Sequence, residues 1–263
     1  MRFTVVASAR AAHQMTHQHA IARGLEAHGI EVEKITAGAV KTEHVACWGW
    51  RVGKKLHSEG HQVLVMERGY LGDRFAWTSL AWNGLNGKGK FAGCFDDQRF
   101  ARHFSMKPWK TAGDYVLLMG QVPGDASLQG MDLTPWYGHA AMQAQNAYEM
   151  PVRFRQHPMS LARGYRQRPP YTEASTGTLD EALDGAAVVV TYNSNSGVDA
   201  VIAGVPTVAM DKGSMAWDVA AHRIGDLIRP DREQWAGHLA CKQWTIEEIE
   251  SGFALGGLLK EIQ

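Results

Sequence analysis

Residues 186–210, AAVVVTYNSNSGVDAVIAGVPTVAM, constrain the fold of this chain more than any other stretch. Residues 187–191 are a short β-branched apolar run of the kind that forms a buried strand, and residues 205–210 are a second. Between them stands a polar turn, Tyr192 to Gly197, followed by Val198, Val201 and Ile202 at the spacing of successive helical turns. Strand, polar turn, helix, strand is the repeating unit of a parallel α/β sheet. In such a sheet the turn sits at the carboxyl end of its strand, where the next helix offers unpaired N–H groups and the positive end of its dipole. The hydroxyls and amides of Asn193, Ser194, Asn195 and Ser196 suit two roles there, capping the helix or cradling a phosphate. No Walker lysine follows, and no G-x-G-x-x-G is present.

The rest of the chain repeats that rhythm. Residues 3–7 read as a strand, 11–28 as a histidine-rich helix closed by Gly29, and 30–35 as a second strand. A short helix over 48–58 and a strand over 61–67 follow. Later come a strand at 115–119, a helix at 136–150, a strand at 151–155 and a short helix at 179–183. With 263 residues there is room for two small domains. The expected division is 1–112 and 113–263, with the basic stretch around 91–111 as the link.

Hydrophobic residues at 45% and charged residues at 21% describe an ordinary globular protein, and the formal net charge of zero argues for neither nucleic acid nor membrane. Local charge is uneven. Residues 88–110 hold Lys88, Lys90, Arg99, Arg102, Lys107 and Lys110 against Asp96 and Asp97, and residues 151–170 hold five arginines and no acid. An anionic ligand is the expectation, although a solvated face produces such runs too. Cys47, Cys94 and Cys241 are odd in number and far apart, so a disulfide framework or a structural zinc is not expected and a reducing compartment is. No run approaches a membrane span or a signal peptide, which predicts a cytoplasmic protein. His13 and His17 share a helical face, but no Asp, Glu or Cys joins them at ligand spacing.

Residues 67–87 mix aromatics, Asn, Gly and charges without helical or strand period, and read as one long loop at a strand end. Arg68, Tyr70, Trp77, Trp82, Asn83 and Asn86 suit stacking on a sugar ring or a base while hydrogen-bonding its edge. A packed loop with buried tryptophans is the other reading.

Three motifs then occur in order: a strand ending in GQ-x-x-x-D-x-S (Gln121, Asp125, Ser127), a strand ending in HP (His157, Pro158), and Y-N-S-x-S-G-x-D-A-x-x-A-G-x-P over 192–206. Together they resemble the nucleotide-binding half of GT-B glycosyltransferases, above all the retaining β-Kdo transferases of bacterial capsule and lipopolysaccharide assembly. The E-x-G-Y…S-L…G-L-N pattern from Glu67 resembles the end of the first lobe in that group. The resemblance covers roughly residues 67–210; the chain is much shorter than the family and its first lobe is Trp-rich. It implies an α/β, GT-B-like fold with two facing Rossmann-like lobes built on parallel sheets, the acceptor on residues 1–112 and a nucleotide-sugar on residues 113–263. The donor would be a UDP- or CMP-linked co-substrate, with no other cofactor. No metal is expected, since Asp96-Asp97 lacks D-x-D spacing.

Site roles follow from the same resemblance. Gln121, Ser127, Arg155, His157, Asn193, Ser194, Ser196, Gly197 and Asp199 would bind the donor, with His157 at the leaving phosphate and Asp199 at a ribose hydroxyl. Breaking a sugar–phosphate bond needs positive groups and N–H donors where charge grows. Asp125 would be the catalytic carboxylate, as nucleophile with retention or as base with inversion; after Pro-Gly it also fits an Asx turn. Glu67 and Asp73 are the second choices. The phrase QWTIEEIESG near the C-terminus resembles bacteriophage proteins, and by that analogy the acceptor would be a hydroxymethylpyrimidine in phage DNA. A bacterial surface glycan is the alternative acceptor, and a nucleotide-sugar epimerase or hydrolase the alternative activity.

Overall fold

The computed structural model describes residues 1–93, 96 and 98–261 and forms two compact units, Met1–Phe104 with Ala236–Gln263, and Ser105–Trp235. Cys94 and Asp97, both singled out in the sequence, lie outside the described residues. In chain order the first elements are β1 (Arg2–Val6), α1 (Ala12–Glu26), β2 (Glu31–Ile35), β3 (His44–Trp48), α2 (Trp50–Ser58), β4 (Gln62–Arg68), β5 (Thr78–Trp82) and α3 (Arg99–His103). Next come β6 (Tyr115–Met119), α4 (Thr134–Tyr148), β7 (Val152–Arg155), α5 (Pro158–Ala162), β8 (Glu173–Ala174), α6 (Leu179–Asp184), β9 (Ala186–Thr191), α7 (Ser196–Ile202) and β10 (Thr207–Ala209). The last are α8 (Glu233–Ala240), β11 (Gln243–Trp244), α9 (Ile246–Glu250) and α10 (Leu255–Lys260).

The first unit is a six-stranded sheet in the order β11-β5-β4-β3-β1-β2. β2, β1, β3 and β4 are parallel; β5 and β11 are antiparallel additions at one edge. Of its parallel strands, β1, β3 and β4 are buried and largely apolar, as interior parallel strands are, while the edge strand β2 (EVEKI) carries charges and has no buried residue. Leu64 and Met66 point into a core with Ile21 and Leu25 of α1 and Ile249, Leu255 and Leu258 of the C-terminal helices. Val63 and Val65 point the other way, against Leu56 of α2. Burying a leucine of this kind is worth about 2 kcal/mol. The C-terminal residues therefore complete the first unit rather than extend the second.

Residues 67–87, read as one loop, contain strand β5. All five of its residues are buried, so no alternation betrays it. Its pairing with β4 sets Arg68 opposite Thr78 and Leu64 opposite Trp82, which splits the segment between the two ends of the sheet.

The second unit is a parallel sheet in the order β10-β9-β6-β7-β8. Val116 and Leu118 of β6 face α4, packing with Tyr137, Ala140 and Phe154, while Tyr115, Leu117 and Met119 face Leu183 of α6 and Ala200 of α7. Residues 105–110 belong here: the amides of Lys107 and Lys110 donate to the carbonyls of Ile202 (2.9 Å) and Gly204 (2.7 Å). Cys47 is a free buried thiol, pushed up to about 12 by burial and by the charge of Glu67. Cys241 is disulfide-bonded, a linkage that the cysteine spacing did not foretell. Among the described residues, no helix is long and apolar enough to cross a membrane.

Candidate functional site

At the carboxyl edge of the second unit, the ends of β6 and β9 are joined by two amide side chains. Gln121 Nε2 donates to Asn193 Oδ1 at 2.8 Å, and the Asn193 N–H donates to Gln121 Oε1 at 3.1 Å. Asn193 Nδ2 donates further to the Ser127 carbonyl (3.1 Å) and to Asp211 Oδ1 (3.0 Å). The Gln121 N–H donates to the Tyr137 hydroxyl at 2.8 Å. Burial pushes that hydroxyl's pKa up to about 12, so it is a neutral acceptor and donor at any physiological pH. Gln121 and Asn193 are 5% and 2% exposed, and their polar groups are spent on each other and on neighbouring loops. They brace the edge on which a ligand would lie.

Asp125 caps the short turn at Ala126–Leu128: its Oδ1 accepts from the Ser127 amide (2.9 Å) and hydroxyl (2.7 Å). It is exposed, so the Asx turn and an outward carboxylate coexist. His157 caps α5, with Nδ1 accepting from the Met159 N–H at 3.1 Å. That bond makes Nε2 the nitrogen that carries the proton, a donor suited to an anion. Arg155 ends β7, paired in register with Met119, and its Nη2 donates to the Gly177 carbonyl at 2.9 Å.

In the turn before α7, Ser194 Oγ donates to Ser196 Oγ at 3.2 Å, and the Ser196 N–H donates to Ser194 Oγ at 3.3 Å. Gly197 is a packing glycine: a Cβ there would stand 3.1 Å from Thr191 Cγ2 and 3.6 Å from Ala216 Cβ. Asp199 is half-buried in the first turn of α7. A cavity of about 200 Å³ opens beside this edge, lined by Gln121, Gly124, Leu128, Met131, Tyr137 and Gln167 among others.

In the first unit, Glu67 and Arg68 stand at the carboxyl end of β4. The Arg68 guanidinium lies 5.2 Å from the Trp48 ring centre and 4.4 Å from that of Phe75. His13 and His17 of α1 meet Trp48 edge-on, at 5.0 and 4.5 Å. These histidines thus build an aromatic cluster, and among the described residues no three or more His, Cys, Asp or Glu side chains gather in a way that could hold a metal ion. His17 is buried, with Nδ1 donating to the His13 carbonyl at 2.6 Å and Nε2 accepting from the Thr78 hydroxyl at 2.7 Å. Burial pulls its pKa below the ordinary value, assisted by the charges of Arg68 and His13 and opposed by the bond to the His13 carbonyl.

Not all the expected acceptor residues lie there. Asp73 is exposed and caps the Phe75 amide at 2.9 Å. Tyr70 and Trp77 are 2% and 9% exposed, and Trp77 is packed against His103 and Phe104. Trp82 is a core residue, 2% exposed, with its indole N–H on the Leu258 carbonyl at 3.0 Å, which leaves no face for stacking. Asn83 holds Gln62 and Val63 at the amino end of β4, and Asn86 starts the turn beyond it, at the opposite end of the sheet from Glu67. No motif or spacing in the sequence marks Trp48, Phe75 (76% exposed) or Gln243 for this end of the sheet, to which the fold brings them. Gln243 Oε1 accepts from the amides of Tyr70 (2.6 Å) and Leu71 (2.9 Å), which fixes the loop from 173 and 172 positions away.

The basic stretch is largely neutralised from within. Arg99 is 4% exposed and grips Glu248 with two bonds of 2.6 Å. Lys90 pairs with Glu261 at 3.1 Å, Arg102 pairs with Asp96, and Lys110 Nζ donates to the Leu183 carbonyl at 2.8 Å.

No family model and no curated protein sequence matches this chain. Among solved structures it is similar to the beta Kdo 2,7 transferase of Thermosulfurimonas dismutans KpsC, with a TM-score of 0.60 and 14% identity over 100% of both chains. It is likewise similar to the beta Kdo 2,4 transferase of the same protein, with a TM-score of 0.60 and 15% identity over 89% of each chain. At that identity the likeness is one of fold: the chain is a GT-B-like α/β protein, each of its two units built on a largely parallel sheet.

Proposed function

We propose that this chain is a glycosyltransferase that moves a sugar from a UDP- or CMP-linked donor, held by the second unit, to a hydroxyl of a glycan. The observation that carries the reading is the gathering of the three motifs on adjacent strands. β7, β6 and β9 are neighbours, so His157, Gln121 and the Asn193–Ser196 turn share one carboxyl edge, the position where open α/β sheets bind ligands. In the proposed reaction the bond between the anomeric carbon and the donor phosphate breaks, and the phosphate leaves with added charge. The His157 Nε2–H, the Ser194 and Ser196 hydroxyls and Arg155 stabilise that charge. Asp125 attacks the anomeric carbon or takes the acceptor proton, with Glu67 and Asp73 as the first unit's carboxylates for acceptor activation.

The acceptor class rests on two supports. Both structural neighbours named above are Kdo transferases. The stretch 88–110, which motivated a DNA base as acceptor, has most of its charges committed to internal partners.

The test is a thermal-shift screen with CMP, UDP, GDP, UDP-glucose and CMP-Kdo, since a ligand that binds only the folded state raises the midpoint. One nucleotide should raise it, and His157→Asn, which keeps a capping acceptor but removes the Nε2–H, should abolish the rise. No rise with any nucleotide would refute the reading, and donor consumption without any acceptor would replace transfer with epimerisation or hydrolysis. Activity should survive excess chelator; loss restored by a divalent ion would show a metal in the reaction.

A further inference from the structure

A second cavity in the second unit, about 450 Å³ in volume, lies between β7, β8 and the segment that crosses from one to the other. Its lining includes Phe154, Leu161, Arg166, Arg168, Glu173 and Ser175. The segment forming its outer wall is tied down: Gln156 Nε2 donates to the Tyr165 carbonyl at 2.9 Å, and the Gln167 N–H donates to Gln156 Oε1 at 3.2 Å. On the inner wall the Ser175 N–H donates to the Phe154 carbonyl at 2.9 Å. Both walls are therefore formed before any ligand arrives.

The charge of the cavity is one-sided. Arg166 Nη1 donates to the carbonyls of Leu161 (3.1 Å) and Tyr165 (2.9 Å), which orients the guanidinium without neutralising it and leaves Nε and Nη2 for a ligand. Glu173 is the acid in the lining, and it faces Arg153 at 3.6 Å. Among the described residues, neither Arg166 nor Arg168 has a carboxylate within ion-pair distance, although both line the same space. Two guanidinium groups of like charge repel unless an anion stands between them, and the guanidinium fork matches the geometry of carboxylate and phosphate. The apolar floor of Phe154 and Leu161 suits the body of a small organic molecule rather than a bare ion.

We propose that this cavity is a binding site for a small organic anion, its phosphate or carboxylate taken by Arg166 and Arg168 and its body resting on Phe154 and Leu161. The site goes beyond the donor edge of His157 and Ser194, and it does not require that the chain transfer sugars. The phosphate of a nucleotide and the carboxylate of an acidic sugar share the chemistry that the arginines recognise.

The experiment is calorimetric titration of the full chain with pyrophosphate, CMP and free Kdo, with no turnover involved. Variants are Arg166→Ala/Arg168→Ala and, as a control, Arg163→Ala, an exposed arginine of the same segment outside the cavity lining. All three side chains are exposed, so folding should be unaffected; thermal midpoints check this. The expected result is binding of at least one probe, weakened tenfold or more in the double variant and less than threefold in Arg163→Ala. Binding of pyrophosphate and CMP names phosphate as the group, and binding of Kdo alone names carboxylate. His157→Asn separates the sites: it should weaken CMP at the donor edge while sparing the arginine-dependent titration. Absence of binding by every probe, retention in the double variant of the binding that His157→Asn spares, or equal loss in Arg163→Ala would each overturn the proposal.

Discussion

Replacing Asn193 by Ala should unfasten the edge on which the proposed donor site is built. The substitution removes three side-chain hydrogen bonds, to Gln121 Nε2, the Ser127 carbonyl and Asp211 Oδ1. At about 1 kcal/mol net for each, with about 1 kcal/mol more for stranding the buried Gln121 amide, the loss is about 4 kcal/mol. Gln121→Ala removes one of the same bonds from the other side, so the double variant should fall short of additivity by about 1 kcal/mol. Asn193→Asp, nearly isosteric, should cost no less than Ala, because it sets an acceptor against the Ser127 carbonyl and the Asp211 carboxylate. Urea unfolding of the full chain gives the free energies, and amide hydrogen exchange locates the loss: protection should drop at the ends of β6 and β9 and persist in β1 and β4. A cost below about 1 kcal/mol for Asn193→Ala, with unchanged exchange, would refute the bracing role and return both amides to the ligand list.

The imidazole of His17 carries a pH prediction. With its folded pKa below the ordinary 6.5, the unfolded chain binds more protons between the two values, so stability rises with pH there and falls as pH drops below about 6.5. The urea midpoint of wild type should decline on that side more steeply than that of His17→Gln, and parallel curves would count against it. Gly24→Ala would raise stability by about 1 kcal/mol in an exposed helix. Here the new Cβ would stand 2.1 Å from the Ile249 carbonyl oxygen, so the sign should reverse, with a loss of about 2 kcal/mol or more in thermal unfolding. Duplex DNA should bind weakly, with a log–log salt slope shallower than about −3, since each phosphate contact contributes about −0.9; a steep slope would reinstate a DNA acceptor.

The parallel strands with unbroken apolar runs, β1, β4, β6 and β9, were legible because burial on both faces leaves a continuous signal in the sequence. β3 was not: HVACW puts a histidine first and follows a stretch of Lys, Thr and Glu, so neither alternation nor an apolar run marks it. β5 and the two-residue β11 exist through pairing with β4 and with each other, which local pattern cannot report. The return of the C-terminal residues to the first unit depends on contacts such as Gly24 against Ile249, far apart in the chain. At the site, the order of motifs pointed to the carboxyl edge of the second sheet. What each polar residue does there was hidden, because an amide that binds a ligand and one that binds a neighbouring loop are the same residue type.

That ambiguity has a physical resolution at this edge. A primary amide offers two N–H donors and one carbonyl acceptor. Asn193 spends both donors and its acceptor within the protein, and Gln121 spends its acceptor on the Asn193 amide and a donor on the Asn193 carbonyl. Asn193 therefore cannot hold a sugar or a phosphate without releasing a buried partner, and Gln121 keeps one N–H beyond the clasp. Recognition then falls chiefly to groups that reach solvent: His157, Arg155, Ser196, and the cavity-lining Arg166 and Arg168. These differ from the bracing residues in one consequential way, since exchanging an exposed arginine leaves the core and the clasp intact. Ligand preference in this fold can therefore change at 155–168 while the Gln121–Asn193 clasp stays fixed. Replacing Arg166 and Arg168 by Gln should alter which anion binds and leave the unfolding free energy in urea within about 0.5 kcal/mol, the range of ordinary surface substitutions; a larger loss of stability would mean that those arginines hold the fold instead.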